Sequence, residues 1–568
     1  MTGDEVATAL KVVVRGTTAH KLEGLRLDFK TEKATAKETH QDLADAAVCF
    51  ANSSGGTIVV GVHDRLAGSD ALVGTDLDAD VVRSRVHELT EPHLLVNTQT
   101  MVVDGVRLLV CTVPEGQTAY STSRGHASRR VGSDCVPMRA EDAARLLEER
   151  RGVDWSSDRS DVDASQADPL ALRRLRSLLT SSARPDLVRL ARSGEAQVLI
   201  ALGLAVPGGR LTRAGALLLG GESIMGIGVV YQHRQTSGGE PDAVLRWDAP
   251  LLLAIDELLA AVHARQGTTP LSFADGQQLQ VEDFPLAAVR EAVVNAVAHG
   301  DHRLGRPIHV EHSPQVLRVT SPGPLVSGVT PENILTRGSR SRFPVLATAL
   351  LHLGLAEALG LGVDRMYREM IRTGRDAPEI ADNGDEVSVS FRGQRPDARV
   401  ARFIASMDEV AREDTDTLLV VRTLCSRRSV TAGSLASVLQ RSASETEDVL
   451  RRLATPPLGL VEPTIGTMAR RMPSYRLMPA VLAALGPAVL YHRRSSSEID
   501  RKVIEHVRDF GEINNRALQR MFDVDVYQAR DMLRDLVGRE ILTRISEQRR
   551  GISVRYGPGP RFPSRRKG

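Results

Sequence analysis

The stretch Glu291-Ala292-Val293-Val294-Asn295-Ala296-Val297-Ala298-His299-Gly300-Asp301 decides how this chain reads. A carboxylate, an amide and an imidazole recur every four residues, so on a helix they share one stripe. Leu286, Val289, Val293 and Val297 follow the 3.6-residue period and form the face expected to be buried. Ala288, Ala292 and Ala296 make a second stripe that permits close packing. Glu291, Asn295 and His299 therefore point together at something other than the main core. A carboxylate that can orient or activate water, beside an amide oxygen that can hold Mg²⁺, is what a Mg-nucleotide site needs. The plain alternative is a solvated polar face with Asp301 as a cap.

Downstream, Val316-Leu317-Arg318-Val319-Thr320 alternates like a strand and runs into the turn Ser321-Pro322-Gly323-Pro324. Gly360-Leu361-Gly362 then opens a further helix, where backbone N–H groups can meet phosphate. This order resembles the GHKL-type ATPase fold, in the divergent version found in bacterial RecG-like proteins and ATP-binding transcriptional regulators. Gly328-Val329-Thr330-Pro331-Glu332-Asn333, Arg342, Pro344 and Val345-Leu346-Ala347 fit the same pattern. The resemblance implies Glu291 as the catalytic, water-orienting carboxylate of a weak ATPase and Asn295 as the Mg²⁺ ligand. It also implies ATP with Mg²⁺ as cofactor, with His299 lining the site and Gly360 and Gly362 beside the phosphates. Standard members carry an Asp that recognises adenine; here that position reads Ser321-Pro322-Gly323, a substitution the divergent subgroup shares.

A chain of 568 residues implies several domains. Charged residues at 25% and hydrophobic residues at 42% are those of an ordinary globular protein, and no apolar run approaches membrane-spanning length. The expected setting is cytoplasmic and nucleoid-associated, with no membrane partner. Net charge is +2, so any nucleic-acid role must rest on local charge. Cys49, Cys111, Cys135 and Cys425 lie far apart without metal-ligand spacing, which argues against zinc and against a disulfide framework and fits a reducing compartment.

Residues before 20 look uncommitted. In the N-terminal domain, Glu23 to Lys30 reads as a strand with Leu25, Leu27 and Phe29 on one face. Phe50-Ala51-Asn52 ends a helix, Gly55-Gly56 turns the chain, and Thr57 to Val62 is a buried strand reaching Asp64. With Arg130-Val131-Gly132-Ser133, this succession resembles the AlbA_2 or Schlafen-like domain over residues 20–147. Most bacterial members of that family are described as DNA-binding. Schlafen relatives use three acids as a metal-dependent RNA-cleaving site, which here implies Glu23, Asp28 and Asp64, with Lys30 on the phosphate. The alternative function is thus a nuclease acting on RNA or DNA with a divalent metal at those acids. The plain reading makes them exposed strand residues and a turn cap.

Residues 148–168 read as a charged linker, 169–275 as a connecting helical and α+β segment, and 276–392 as the GHKL-like α/β sandwich. Two C-terminal units follow, 402–480 and 496–556, each with winged helix-turn-helix order, and a basic disordered tail at 557–568. The third helix of the last unit exposes Tyr527, Gln528, Arg530 and Arg534, which can reach base edges in a major groove. Arg549, Arg550 and Arg555 can lie on phosphates. Residues 549–568 hold seven Arg or Lys and no acid. In the preceding unit, Glu445, Glu447 and Asp448 on the equivalent helix would repel phosphate, which suits a dimerisation or spacer module.

The chain is thus expected to be a multidomain α+β protein. Its expected function is that of a nucleotide-responsive, DNA-binding transcriptional regulator, a homo-oligomer acting on double-stranded DNA.

Overall fold

The computed structural model describes the chain except residues 1–2, 221–226, 249, 273–277, 339, 358–360, 394, 465, 490–495, 523–525, 547, 549–553 and 564–568. The chain divides into two compact units, Met1–Pro396 with Leu439–Arg441, and Asp397–Val438 with Ser442–Gly568.

The first unit opens with a four-stranded mixed sheet. Its order is Leu27–Lys30, Gly56–Val60, Val106–Val113 and Asn97–Val103. The first two strands are parallel, so a crossover must join them, and the helix Ala36–Ala51 supplies it. Thr35 and Glu38 close a reciprocal capping box at its start. Leu43, Ala47 and Phe50 of this helix pack with Val82 and Val86 of the helix Ala79–Glu88 on one face of the sheet. The other face is covered by the helix Gly3–Val14, through Val6, Leu10 and Val13 on Leu27, Phe29 and Val110. The residues read as uncommitted are therefore a layer of this domain; their i, i+4, i+7 apolar spacing is the signal.

Asn52 explains why the Phe-Ala-Asn sequence ends the crossover helix. Its amide donates to the carbonyls of Tyr120 (2.8 Å) and Ser128 (3.0 Å), and its oxygen accepts the Tyr120 N–H at 2.8 Å. One buried side chain thus fixes a loop far along the chain. Nearby, Cys49 and Cys135 form a disulfide, with Cα atoms 5.9 Å apart. The pair departs from the expectation of unpaired cysteines in a reducing compartment. The partners are 86 residues apart, and spacing alone does not reveal such a pair.

Residues 148–168 are built into the fold and are not a linker. The helix Ala140–Arg151 runs into Trp155–Ser157, and the strand Arg159–Asp163 pairs with Arg210–Thr212 in a three-stranded sheet completed by Ala205–Val206. A helix start leaves N–H groups without intrahelical partners. For the helix Pro344–His352 those partners come from this stretch: Val345 N–H donates to Asp154 (2.7 Å) and Leu346 N–H to Ser156 Oγ (3.2 Å). Trp155 packs against Phe343, with ring centroids 5.3 Å apart.

The central sheet has six strands, ordered Ala243–Trp247, Val229–His233, Ile308–His312, Val316–Pro322, Glu386–Arg392 and Glu379–Asp382. Val229–His233 and Ile308–His312 are parallel and the other neighbours antiparallel. The sheet therefore begins well before residue 276, inside the stretch read as connecting. One apolar core runs from Ala167 to Phe391 and joins this sheet to the helices Leu251–His263, Leu286–His299 and Pro344–His352.

In the second unit the same order occurs twice: helix, short strand, two helices, two strands. The first copy is Thr415–Ser426, Val430–Thr431, Ala432–Leu439, Ala443–Ala454, Val461–Pro463 and Ser474–Leu477. The second is Ser496–Phe510, Ile513–Asn514, Asn515–Phe522, Val526–Gly538, Leu542–Arg544 and Arg555–Pro558. In each copy the last strand lies in the middle of a three-stranded sheet. That strand ends at Pro558 and Phe562 packs on the core of the second copy, so the chain expected to be disordered from 557 is ordered there. The remainder of that tail, 564–568, lies outside the described residues.

Candidate functional site

The helix Leu286–His299 buries Val289, Val293 and Val297 fully, as its period requires. Its opposite stripe lines a cavity of about 480 Å³ with Glu291, Asn295 and His299. Val319 and Ser321 border the cavity from one strand, Val387 and Val389 from another, and Gly362, Val363 and Met366 from the helix Leu361–Arg372. The sequence stripe and the cavity wall are thus the same surface.

Gly362 is where the two helices meet the site. A Cβ at this position would lie 1.9 Å from Glu291 Oε1, so no other residue fits without displacing the carboxylate. Burial, and then the Glu357 carboxylate, raise the Glu291 pKa above the ordinary glutamate value, against the opposing pull of Arg365, Arg290 and an Asn295 hydrogen bond. Burial and the neighbouring Arg342 push His299 down to about 4, so the imidazole is neutral at pH 7. Gly360 lies outside the described residues.

Asp301, read as a cap, anchors an ion network below the cavity. It is 1% exposed and meets Arg303 at 2.8 Å and Arg145 at 3.1 Å. Burial raises the pKa of its carboxyl, but Arg303, Arg342 and Arg145 outweigh that and hold it below the ordinary aspartate value. Arg342 is also buried. It meets Glu149 at 2.9 Å and donates to the carbonyls of His299 (3.1 Å) and Pro324 (2.7 Å). Arg303 contacts Glu148 as well. Arg145, Glu148 and Glu149 all lie on the helix Ala140–Arg151, so this helix at the end of the N-terminal domain is bonded directly to the network behind the cavity wall.

The N-terminal acids are arranged differently from the metal-site expectation. Asp28 is buried between Arg130 (3.1 Å) and Lys30 (3.2 Å). Glu23 accepts the Phe29 N–H (3.2 Å) and pairs with His20 at 2.9 Å. Asp64 is partly exposed beside His63 and Arg65. Among the described residues no group of three or more His, Cys, Asp or Glu could hold a metal. Asp28 meets two cations, Arg130 and the expected Lys30, and its Oδ2 accepts no hydrogen bond.

Residues 23–139 match the family model described as "Schlafen, AlbA_2", and residues 305–391 match "Putative ATP-dependent DNA helicase recG C-terminal". The chain joins a Schlafen-type AlbA_2 domain to a RecG-type C-terminal domain. The RecG-type match includes Ser321 and Gly362 but begins after the helix that carries Glu291 and Asn295. The crystal structure of the DIP2311 protein from Corynebacterium diphtheriae shares the fold, with a TM-score of 0.52. That match covers 85% of this chain and 98% of the other, with 24% identity. No curated protein matches the chain. No helix among the described residues is long and apolar enough to cross a membrane.

Sequence reasoning missed the cations of the cavity wall and the ties between the AlbA_2 and RecG-type domains. Arg337 and Arg340 line the cavity and both bond Glu115 of the AlbA_2 domain. The only signal is three arginines in Arg337-Gly338-Ser339-Arg340-Ser341-Arg342; their carboxylate partners are more than a hundred residues away.

In the second unit, Tyr527, Arg530 and Arg534 are exposed on the helix Val526–Gly538, while Ala529, Leu533 and Leu536 face its core. Arg530 sits over the Tyr527 ring at 5.5 Å, and Asp531 lies 3.8 Å from Arg530 and 4.0 Å from Arg534. Arg555 is exposed and paired with Glu512. Arg549, Arg550 and the Gln528 side chain lie outside the described residues. In the first copy Glu447 is buried, accepting from Tyr475 (2.8 Å) and pairing with Arg451 (3.2 Å), and Ser442 caps the helix by accepting the Glu445 N–H while the Glu445 carboxylate accepts the Ser442 N–H. Glu447 therefore serves the core of that copy, while Glu445 and Asp448 remain exposed on the helix.

Proposed function

We propose that the protein is a nucleotide-responsive DNA-binding protein, a transcriptional regulator in which ATP in the RecG-type domain biases how double-stranded DNA is held. The observation that carries this reading is the cavity shared by Glu291, Asn295 and Gly362 in a domain of that type. Its volume lies within the range of roughly 300–1,000 Å³ that suits small-molecule pockets. The donor set fits the nucleotide. Asn295 would offer an amide oxygen to Mg²⁺, Glu291 a carboxyl to a water, and Val319, Val387 and Val389 an apolar strip to a base. ATP with Mg²⁺ supplies a phosphoanhydride and a dense local charge when bound. The chain's own part is to orient it, through Asn295 and the arginines, and to keep His299 neutral.

The DNA-binding part of the reading takes the second unit as two winged helix-turn-helix modules, on its repeated element order and three-stranded sheets. Tyr527, Arg530 and Arg534 would meet the duplex, with Arg555 on its backbone. The AlbA_2 family adds a second nucleic-acid-binding domain. A nuclease reading has less support, because among the described residues Glu23, Asp28 and Asp64 form no group placed to hold a metal.

Fluorescence anisotropy of labelled duplex DNA, titrated with and without saturating Mg-ATP at two salt concentrations, tests the proposal. A salt-sensitive affinity that ATP changes several-fold, with the change lost in Asn295→Ala, is expected. Identical affinities with and without ATP would sink the coupling.

A further inference from the structure

The described lining of the cavity contains two strongly basic residues, Arg337 and Arg340, and a single carboxylate holds both. Glu115 Oε2 lies 3.2 Å from Arg337 Nη2, and Glu115 Oε1 lies 3.0 Å from Arg340 Nη1. Glu115 belongs to the turn after the strand Val106–Val113 of the AlbA_2 domain, whereas the arginines belong to the RecG-type domain. The bond therefore crosses the boundary between the two domains. Gly328 lets the guanidiniums converge, since a Cβ there would lie 3.0 Å from Arg337 Nη2 and 3.4 Å from Arg340 Nη1. Arg340 also donates to the Ser327 carbonyl at 3.0 Å. All three side chains remain partly exposed, so a solute in the cavity can reach them.

Two guanidiniums converging on paired oxygens make the arrangement that binds phosphate as readily as carboxylate, because both anions accept the same fork of N–H donors. His299 is neutral and adds no positive charge. Glu291 and Glu357 also line the cavity, so a polyanion entering it has these arginines as its matching charges.

We propose that Arg337 and Arg340 recognise the polyphosphate of the ligand and that Glu115 is its internal stand-in. Ligand phosphate displaces Glu115 and so frees that turn of the AlbA_2 domain from the RecG-type domain. This rests on the nucleotide reading of the cavity and adds to it the recognising residues and the route by which occupancy reaches the AlbA_2 domain.

The test is calorimetric titration of the full chain with ATP, and separately with inorganic tripolyphosphate, for the wild type, Glu115→Gln and the double variant Arg337→Ala/Arg340→Ala. Glu115→Gln removes the competitor and is expected to tighten both ligands roughly two- to fivefold, the scale of a partly exposed ion pair that no longer has to be broken. The double variant is expected to weaken both at least tenfold, with an unchanged thermal melt excluding misfolding. Hydrogen exchange reports the release: ATP should raise exchange across residues 114–118 in the wild type, and that exchange should already be high in Glu115→Gln. If ATP binds the wild type and Glu115→Gln equally, the stand-in role is overturned while the nucleotide reading survives. Undiminished ATP binding by the double variant overturns the recognition role. A gain for ATP but none for tripolyphosphate also overturns it, because phosphate would not be the group exchanged. If ATP binds none of the three proteins, the nucleotide reading itself fails.

Discussion

Glu291 carries an electrostatic cost that can be measured. Its folded-state pKa is raised, so the unfolded chain ionises first, and stability is lost as pH rises from the ordinary glutamate value of about 4.3 through the folded value. Glu291→Gln is therefore expected to raise the melting temperature at pH 7 and to give no gain below about pH 4, where the wild-type carboxyl is protonated in both states. Differential scanning calorimetry at the two pH values checks this; equal gains at both would refute it. Gly362→Ala acts in the opposite sense. The added methyl would overlap Glu291 Oε1, and forcing it in should cost about 1–3 kcal/mol and abolish ATP binding. Ser321 in place of the adenine-recognising Asp leaves no carboxylate for the exocyclic amine, so competition binding should show ATP and GTP separated by less than about tenfold. The stripe of Glu291, Asn295 and His299 was legible because helical periodicity alone places the three together. Arg337, Arg340 and Glu115 were not, because their convergence is a tertiary contact that no local pattern encodes.

At the scale of elements, the start of the helix Pro344–His352 shows where composition misleads. Residues 148–168 are rich in charge and short polar residues, the usual marks of a linker. Yet Asp154 and Ser156 donate nothing to solvent-facing disorder; their oxygens accept the first free N–H groups of a helix far along the chain. Asp154→Ala should cost about 0.5–2 kcal/mol, the usual loss for a removed cap, while Asp161→Ala in the same stretch, which makes no such bond, should change the melt little. Chemical denaturation of both variants decides it, and equal losses would count against the capping role. The helix Gly3–Val14 was missed for a related reason: its apolar stripe is short and needs the sheet face beneath it. The two C-terminal copies were legible in outline because each strand and helix has its own period.

At the scale of the whole molecule, the shifted histidines set an acid limit. Burial, with Arg342 beside it, lowers His299 to about 4. Burial also lowers His302, and burial with His233 and Arg265 lowers His312 to about 4. All three lie in the first unit. Between the ordinary histidine value of about 6.5 and the folded values of His299 and His312, the unfolded chain binds more protons, so stability is full above 6.5 and falls as pH drops toward 4, and the lowered His302 acts in the same direction. The melt of the first unit should therefore move down steeply across that window. A transition that holds its temperature from pH 7 to pH 4.5 would contradict the burial of these rings.

The network around Asp301 and Arg342 also bears on how such chains can be recombined. The helix Ala140–Arg151 lies beyond the AlbA_2 match, yet its Arg145, Glu148 and Glu149 neutralise charges buried in the neighbouring domain. A chimera spliced at the end of that match, with a foreign helix after it, would leave the Arg342 guanidinium buried without its counter-ion, a defect of about 3–5 kcal/mol. The heritable module is therefore longer than the recognisable one. The front domain can therefore be exchanged only for one whose following helix keeps the equivalents of Arg145 and Glu149.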